Sequence, residues 1–340
     1  MAATAKGAPA RGARLSLRPR KTRAANLAFY IVRRILWMIP VVLFVISITF
    51  VLMHLAPGSP WDRTGGRPLS KAVIDDLNVK YGLDKPLWNQ FLLYVWNVAH
   101  FDFGLSYQYQ NQTAAHVLLE SWPATLTIGA LAFVLIVPLG VALGVIAALR
   151  QNSVIDYIAV GFSTFGASVP NFVIGILLII VFSVEAYHLT GGSLFLPTGG
   201  FAVDEHLILP VITLSVLPVA YIARMARSST LDVLRQDYVR TAWAKGLRER
   251  LVVLRHIVKN SLIPVVSTLG SIFALMVTGS VIVETVFAIP GIGRSFVVAV
   301  SSRDYPMILA TTILFSVVIA VANLIIDLLY TVIDPRVRLG

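Results

Sequence analysis

The chain has 340 residues, 57% of them hydrophobic and 13% charged, where an ordinary soluble domain carries about 25% charged side chains. Mean hydropathy is +0.79, cysteine is absent and the formal net charge is +11. These values exclude a typical soluble enzyme, a disordered tail protein and any site built on thiolates or disulfides. A basic excess serves nucleic acid in some proteins and fixes orientation in membrane proteins, so the distribution of charge has to decide.

Residues 1–34 are rich in Ala and Arg and contain no acid. The apolar run that follows is too long for a signal peptide and no small-residue cleavage site comes after it. A transit peptide fits the composition better, and a basic cytoplasmic extension that fixes topology fits it most simply. Residues 35–55 are the first of six apolar runs of membrane-spanning length. His54 at its end has no second ligand at metal spacing, so no metal site is expected.

The segment 56–120 mixes charges with aromatics, among them Trp61, Tyr81, Trp88, Phe91, Tyr94 and Trp96. Helical spacing over 72–80 and 86–98 predicts a small extracytoplasmic cap whose aromatics form its own core or sit at the lipid interface. Asp102-Phe103-Gly104 lies in this segment without any other kinase element and is not read as a metal-binding motif. The remaining runs are 122–149, 157–184, 207–227, 260–283 and 307–333, inside a core of 118–331. Backbone in lipid must satisfy its own hydrogen bonds, so each run is predicted to be a helix despite Pro123, Pro138, Pro170, Pro210, Pro218 and Pro264. The predicted fold class is therefore an all-α integral membrane protein with six spans.

Counting Lys and Arg between spans places 21 on one side and seven on the other, and the acids divide six to eleven. The positive-inside rule then predicts that both termini, including the tail 334–340, are cytoplasmic, and the basic charge needs no nucleic acid to explain it. The cytoplasmic loop 231–256 stands out. Asp237 to Lys245 suits a short helix with an acid in its first turn and a base in its last, matching the helix dipole, and Gly246 is a C-terminal stop. Such a helix is either a mechanical handle tied to two spans or a surface helix held by anionic lipid.

Polar groups inside the spans are few. Ser168 and Asn171 flank Pro170 and either line a path or hydrogen-bond between helices. Asp327, near the cytoplasmic end of the last run, is expected to meet headgroup water or an arginine. No Ser/His/Asp arrangement suggests a hydrolase. A P-loop needs Gly-Lys followed by Ser or Thr, and the chain has no Gly-Lys dipeptide, so it binds no ATP by that route.

Asp237-Tyr-Val-Arg-Thr-Ala-Trp-Ala-Lys-Gly-Leu247, followed by Asn260-Ser-Leu-Ile-Pro264, resembles the cytoplasmic signature of binding-protein-dependent ABC importer permeases, most closely the dipeptide/oligopeptide and nickel branch. The family's Glu-Ala-Ala positions hold Arg240, Thr241 and Ala242 here, followed by Gly246. Ala56-Pro-Gly-Ser-Pro60, with Ser59 where Asp is common, also resembles the branch. So do Tyr81-Gly-Leu-Asp-Lys-Pro86, Phe103-Gly-Leu-Ser106, the loop from Glu284 to Gly293, and Asp327, Tyr330 and Asp334-Pro-Arg336.

The resemblance implies a type I ABC importer permease fold in the inner (plasma) membrane of a prokaryote. It implies a second permease subunit, two ATPase subunits and an extracytoplasmic substrate-binding protein as partners, besides membrane lipid. ATP and Mg would then be held by the ATPase subunits, with no cofactor on this chain. The ATPase-coupling residues would be Asp237, Tyr238, Arg240, Thr241, Ala242, Lys245, Gly246 and Leu247, with Ala242 and Gly246 permitting close approach. A secondary transporter or channel with six spans is the alternative.

Overall fold

The computed structural model describes residues 21–62, 69–109 and 111–333. The segment 1–20, Arg63, Arg67 and the tail 334–340 with its Asp334-Pro-Arg336 lie outside them. Fourteen helices account for nearly all of the described chain, and the β structure among the described residues is one bridge, Leu105 to Thr113. Six helical segments are long and apolar enough to cross a membrane.

Helix α1 (Lys21–Leu55) begins before the apolar run, so residues 21–34 of the basic extension are helical and continuous with the first span. Ala, Arg and Lys are good helix formers, and a spanning helix continues into water until something stops it. Two short helices follow in the cap, α2 (Lys71–Tyr81) and α3 (Leu87–Ala99). Gly82 ends α2 in the left-handed conformation, and Pro86 sits just before α3, where its missing N–H costs nothing. Helix α4 (Ala114–Leu149) starts inside the segment assigned to the cap. Thr113 caps it by accepting from the His116 N–H at 3.2 Å, and it runs unbroken through Pro123 and Pro138.

The run 157–184 is not one helix. Helix α5 (Val154–Ser168) stops at Val169, which is extended at φ −90°, ψ 126°. Helix α6 (Asn171–Ile179) then starts after Pro170 and continues through a π turn at Ile180–Glu185 into α7 (Ala186–Thr190). The proline ring forbids the α conformation to the residue before it, and here no neighbour overrides that. The part long enough to cross is Asn171–Thr190.

Helix α8 (Ile208–Leu234) outruns its apolar stretch, because Arg224 and Arg227 interrupt hydropathy without interrupting the helix. Helices α9 (Asp237–Ala244) and α10 (Glu249–Val252) and a π turn (Val253–Val258) lead into α11 (Lys259–Thr278). The run 260–283 also breaks. Gly279, at φ 95°, ends α11, and Ser280 caps α12 (Val281–Val286) by accepting from the Val283 N–H. Helices α13 (Ile292–Ser301) and α14 (Tyr305–Ile333) complete the described chain.

The core is centred on α4 and α8, with α11 packed against both. Residues 140–144 of α4 read Gly-Val-Ala-Leu-Gly, the spacing that lets two membrane helices approach closely. A Cβ on Gly144 would lie 2.4 Å from the Ala223 carbonyl oxygen, and one on Gly140 2.7 Å from the Ile222 side chain. Gly129 makes the same close approach to the Met276 carbonyl of α11. Because membrane helices cannot be driven together by hydrophobicity, this backbone proximity is what gives them packing contacts.

Candidate functional site

The strongest candidate is the loop joining α8 to α11, at the end of the bundle where α1 starts and α14 stops. Asp237 lies in the first turn of α9, where its charge suits the helix dipole. Val239 and Ala242 face inward and form a small apolar cluster with Val252 and Ile257, which clamps α9 onto the root of α11. The rest of the helix is outward. Tyr238, Arg240, Thr241, Lys245 and Leu247 are exposed. Arg240 stands 3.8 Å from Asp237, an exposed pair that contributes little to stability. The Asn260 amide donates to the Tyr238 hydroxyl at 3.0 Å, which ties the helix to α11.

The end of α9 is a Schellman motif. The Gly246 N–H donates to the Trp243 carbonyl at 2.9 Å and the Leu247 N–H to that of Ala242 at 3.4 Å, with Gly246 at φ 73°. Ala242, expected to touch a partner, is instead buried against this chain's own cluster. Small size at that position serves internal packing. Gly246 lies in open space, with no heavy atom within 4 Å of a Cβ placed there. Its conformation, rather than crowding from this chain, accounts for the glycine. Across 231–259, Arg235, Arg240, Lys245, Arg248, Arg250, Arg255 and Lys259 are exposed beside three acids, Asp232, Asp237 and Glu249. The loop therefore presents a predominantly basic surface.

Four carboxylates, each paired with a residue 70 or more positions away, fasten the spans around this loop and at the opposite end. Beside the loop, Asp156 at the start of α5 is only 2% exposed and accepts both Nε and Nη2 of Arg227 at 2.6 and 2.8 Å. The Arg227 guanidinium holds the Asp156 carboxyl below the usual carboxylate range, and the Asn152 N–H helps against the opposing effect of burial. Asp327 accepts from the Tyr30 hydroxyl at 2.8 Å and from Arg34, so of its two expected surroundings it has the arginine.

At the cap end, buried Asp304 accepts from the Ser106 hydroxyl and, at 3.1 Å, from the Gln108 N–H. Arg303 donates to the Pro57 carbonyl at 2.7 Å, which locks the 56–60 motif onto the start of α14. Glu284 accepts from the Thr125 hydroxyl at 2.9 Å and the Arg294 N–H at 2.8 Å, and Thr125 in turn accepts from the Ile292 N–H at 2.9 Å. Gly279, Gly291 and Gly293 wall this carboxylate so closely that a Cβ on Gly291 would lie 2.4 Å from its carboxyl carbon. That crowding gives the 284–293 motif its glycines. Sequence reading foresaw an arginine for Asp327 without identifying Arg34, and missed the other three clamps because their partners lie far apart along the chain.

Ser168 and Asn171 flank the Pro170 break but are not brought to a common group. Ser168 donates to the Thr164 carbonyl of its own helix at 2.8 Å, and the buried amide oxygen of Asn171 has no hydrogen-bond partner. His54 is 2.8 Å from the Phe50 carbonyl through Nδ1, with ring contacts to Phe50 and Tyr305. Of the cap aromatics, Phe91, Tyr94, Phe103, Tyr107 and Tyr109 pack onto the outer ends of α1, α4 and α14, so the cap's core is shared with the spans. Burial pushes the Tyr94 and Tyr107 phenols up. Among the described residues, no three His, Asp or Glu side chains group as a metal site.

The profile of the family described as "Binding-protein-dependent transport system inner membrane component" matches residues 140–339, and that of its N-terminal component matches 27–129. The chain is 41% identical to the oligopeptide transport system permease protein OppB of Salmonella typhimurium, over 91% of this chain and 99% of the relative. It is 39% identical to the dipeptide transport system permease protein DppB of Bacillus subtilis, over 92% and 99%. It is 40% identical to the glutathione transport system permease protein GsiC of Pectobacterium atrosepticum, over 91% and 98%. Inward facing structures of the MetNI methionine ABC transporter align with it at 18% identity and a TM-score of 0.48, over 65% of this chain and 97% of that one. With six membrane-capable helices and matches along nearly its whole length, the chain belongs to the binding-protein-dependent transport system inner membrane components, as a multi-pass permease subunit.

Proposed function

We propose that this chain is one of two permease subunits of an ATP-driven importer of di- and oligopeptides, and that α9 is the coupling helix on which separate ATPase subunits act. The observation that carries the reading is the construction of the 237–247 segment. It is a two-turn helix, closed by a left-handed glycine, clamped by Val239 and Ala242 to its own subunit, and presenting Tyr238, Arg240, Thr241, Lys245 and Leu247 outward. Asp237 supports the helix start, and Ala242 acts from within by holding the helix in place.

In this reading both termini are cytoplasmic, ATP and Mg stay on the ATPase subunits, and a substrate-binding protein docks at the cap end. The second permease subunit is a different chain and supplies the other half of the pore. ATP binding draws the two coupling helices together and shifts the spans between two states. The bias comes entirely from the difference in ATPase contacts between those states. Ser168 and Asn171, beside the break between α5 and α6, line the path. Peptide is the substrate class because the full-length relatives named above are permeases of oligopeptide, dipeptide and glutathione systems.

The test is reconstitution. Purified from native membranes in mild detergent, the chain brings ATPase subunits with it. The complete assembly accumulates labelled dipeptide in vesicles only with ATP and loaded binding protein, and the isolated chain accumulates none. Gradient-driven uptake by the isolated chain overturns the proposal in favour of a secondary transporter.

A further inference from the structure

The two cap helices present different surfaces. Helix α2 exposes Lys71, Asp75, Asp76 and Lys80, as a helix in water does. Helix α3 has no charged residue, and its exposed side chains are apolar except for Asn89. Trp88 and Trp96 are each 65% exposed, with Leu92 and Leu93 exposed between them. Positions 88, 92 and 96 follow at i+4 spacing and share a face. Phe91 and Tyr94 pack inward, as does Gln90, whose amide donates to the Leu83 and Lys85 carbonyls at 3.2 and 2.7 Å. A glutamine turned in and two tryptophans turned out reverse the usual arrangement of a water-soluble surface.

The end of α3 adds a second observation. Phe101 follows the C-cap in a Schellman motif, at φ 61°, a position that favours glycine, and its ring is 84% exposed. A bulky residue is held in an unfavourable conformation without gaining a packed ring inside the chain.

We propose that this face of α3 is a membrane-interface anchor. It lies in the leaflet on the cap side, with Trp88, Leu92, Trp96 and Phe101 at the headgroup boundary. The choice of lipid over a protein partner rests on continuity with the lipid-facing surface of the first span. Inward-facing Phe91 meets buried Phe50 at 5.3 Å, which sets α3 against the side of α1, and the cleft of about 440 Å³ between them is lined by apolar Val51, Leu55, Leu87 and Trp88 besides these two rings, with Ser47 and His54 as its polar members. Lipid acyl chains fill this cleft. Val51 and Leu55 of α1, exposed beside it at 52% and 73%, are part of the apolar surface of the first span. Tryptophans at the membrane–water boundary and an uncharged apolar helix face in its plane are what a zwitterionic lipid surface takes. The cap is then held against the bilayer at one side, with charged α2 facing water.

The chain has no cysteine, so single cysteines report without background. Leu92→Cys, Trp96→Cys and, as the water-facing control, Val79→Cys on α2 (67% exposed) are introduced one at a time into the full chain. Each is labelled with a nitroxide and reconstituted into vesicles of phosphatidylcholine and phosphatidylethanolamine. At 92 and 96, collisions with a water-soluble nickel chelate are lost and collisions with oxygen dominate, while position 79 gives the reverse. The proposal is overturned if 92 and 96 collide with nickel as readily as 79. It is equally overturned if they become protected only after a soluble binding protein is added, which would make α3 a protein-docking face. Leu92→Cys alone suffices should Trp96→Cys fail to fold.

Discussion

Replacing Gly246 separates two reasons for its presence. The residue sits at φ 73° with its amide on the Trp243 carbonyl and the next amide on Ala242. No atom of this chain lies within 4 Å of a Cβ placed there, so a substitution meets no clash inside the subunit. What remains is backbone handedness, about 1–2 kcal/mol for an L residue in the left-handed region and less for Asn. If the backbone instead returns to negative φ, it gives up two hydrogen bonds worth about 1 kcal/mol each. Either way the intact end of α9 becomes roughly 5–30 times less favoured, while Val239 and Ala242 keep the helix itself in place. The assay is ATPase stimulation by loaded binding protein in the assembled transporter, measured for Gly246→Asn, Gly246→Ala and Gly246→Val. The expected order is Asn near wild type, then Ala, then Val. Asn and Val are of similar bulk, so equal damage from both would refute the conformational account and locate the constraint in a partner's groove. A fully active Gly246→Val would remove this end of α9 from coupling altogether.

Three further outcomes follow from the clamps and crossings. Arg227→Met leaves the buried Asp156 carboxylate unpaired and should cost about 3–5 kcal/mol in detergent unfolding, with much of the loss recovered by adding Asp156→Asn. Since Arg227 depresses the Asp156 carboxyl, the pair's stabilisation is complete above the unfolded value of about 3.9 and is lost as pH falls through the lower folded value. An acid titration of stability should therefore show a step that Arg227→Met lacks. Glu284→Leu strands the Thr125 hydroxyl and the Arg294 amide, each worth about 1–3 kcal/mol when buried without a partner. The loss should appear as a lower melting temperature of the purified chain, with Glu284→Gln milder. Gly144→Leu drives a side chain into the Ala223 carbonyl, where overpacking costs about 1–3 kcal/mol or more, and should abolish the monodisperse peak in size-exclusion chromatography that Ala142→Leu leaves intact.

What could be read from the sequence was set by interactions close along the chain. Apolar runs located the membrane-spanning regions, and local charge and glycine placement located α9 within a residue of its bounds, because capping is decided by neighbours. The cap helices were legible for the same reason. Hydropathy averages over a window, so it could not register the breaks at Val169–Pro170 and Gly279, where the polar residues beside each, Ser168 and Asn171 or Thr278 and Ser280, are too few to lower the mean of the apolar run around them. It cut α8 short at residue 227 because charge ends an apolar stretch without ending a helix. Ala242 was misread because small size serves a partner's approach and internal packing equally well, and Val239, Val252 and Ile257 gave no sign in sequence of which way α9 turned. The carboxylate clamps needed contacts between residues 71 to 297 positions apart, as in Asp156 with Arg227 and Tyr30 with Asp327.

Those clamps also bear on how motion can pass through the bundle. Asp156 and Asp327 fasten one end, and Asp304 and Glu284 the other. Between them the spans carry few charges, and α4, α8 and α11 meet at glycine crossings too tight for a methyl group. Such packing does not deform continuously, so the bundle yields where its backbone ladder is already interrupted, at 169–170, at 279–280 and at the two π turns. Helix α8 stays helical from Ile208 to Leu234, about 40 Å at 1.5 Å per residue, with its ladder missing the one donor at Pro218, and α9 begins shortly beyond it at Asp237. Gly140 and Gly144 bring α4 into close contact with it around Ile222 and Ala223. On the proposed coupling role, a displacement of α9 is expected to be carried by α4 and α8 together and the change in shape to fall on α6 and α12, whose first residues sit beside the breaks.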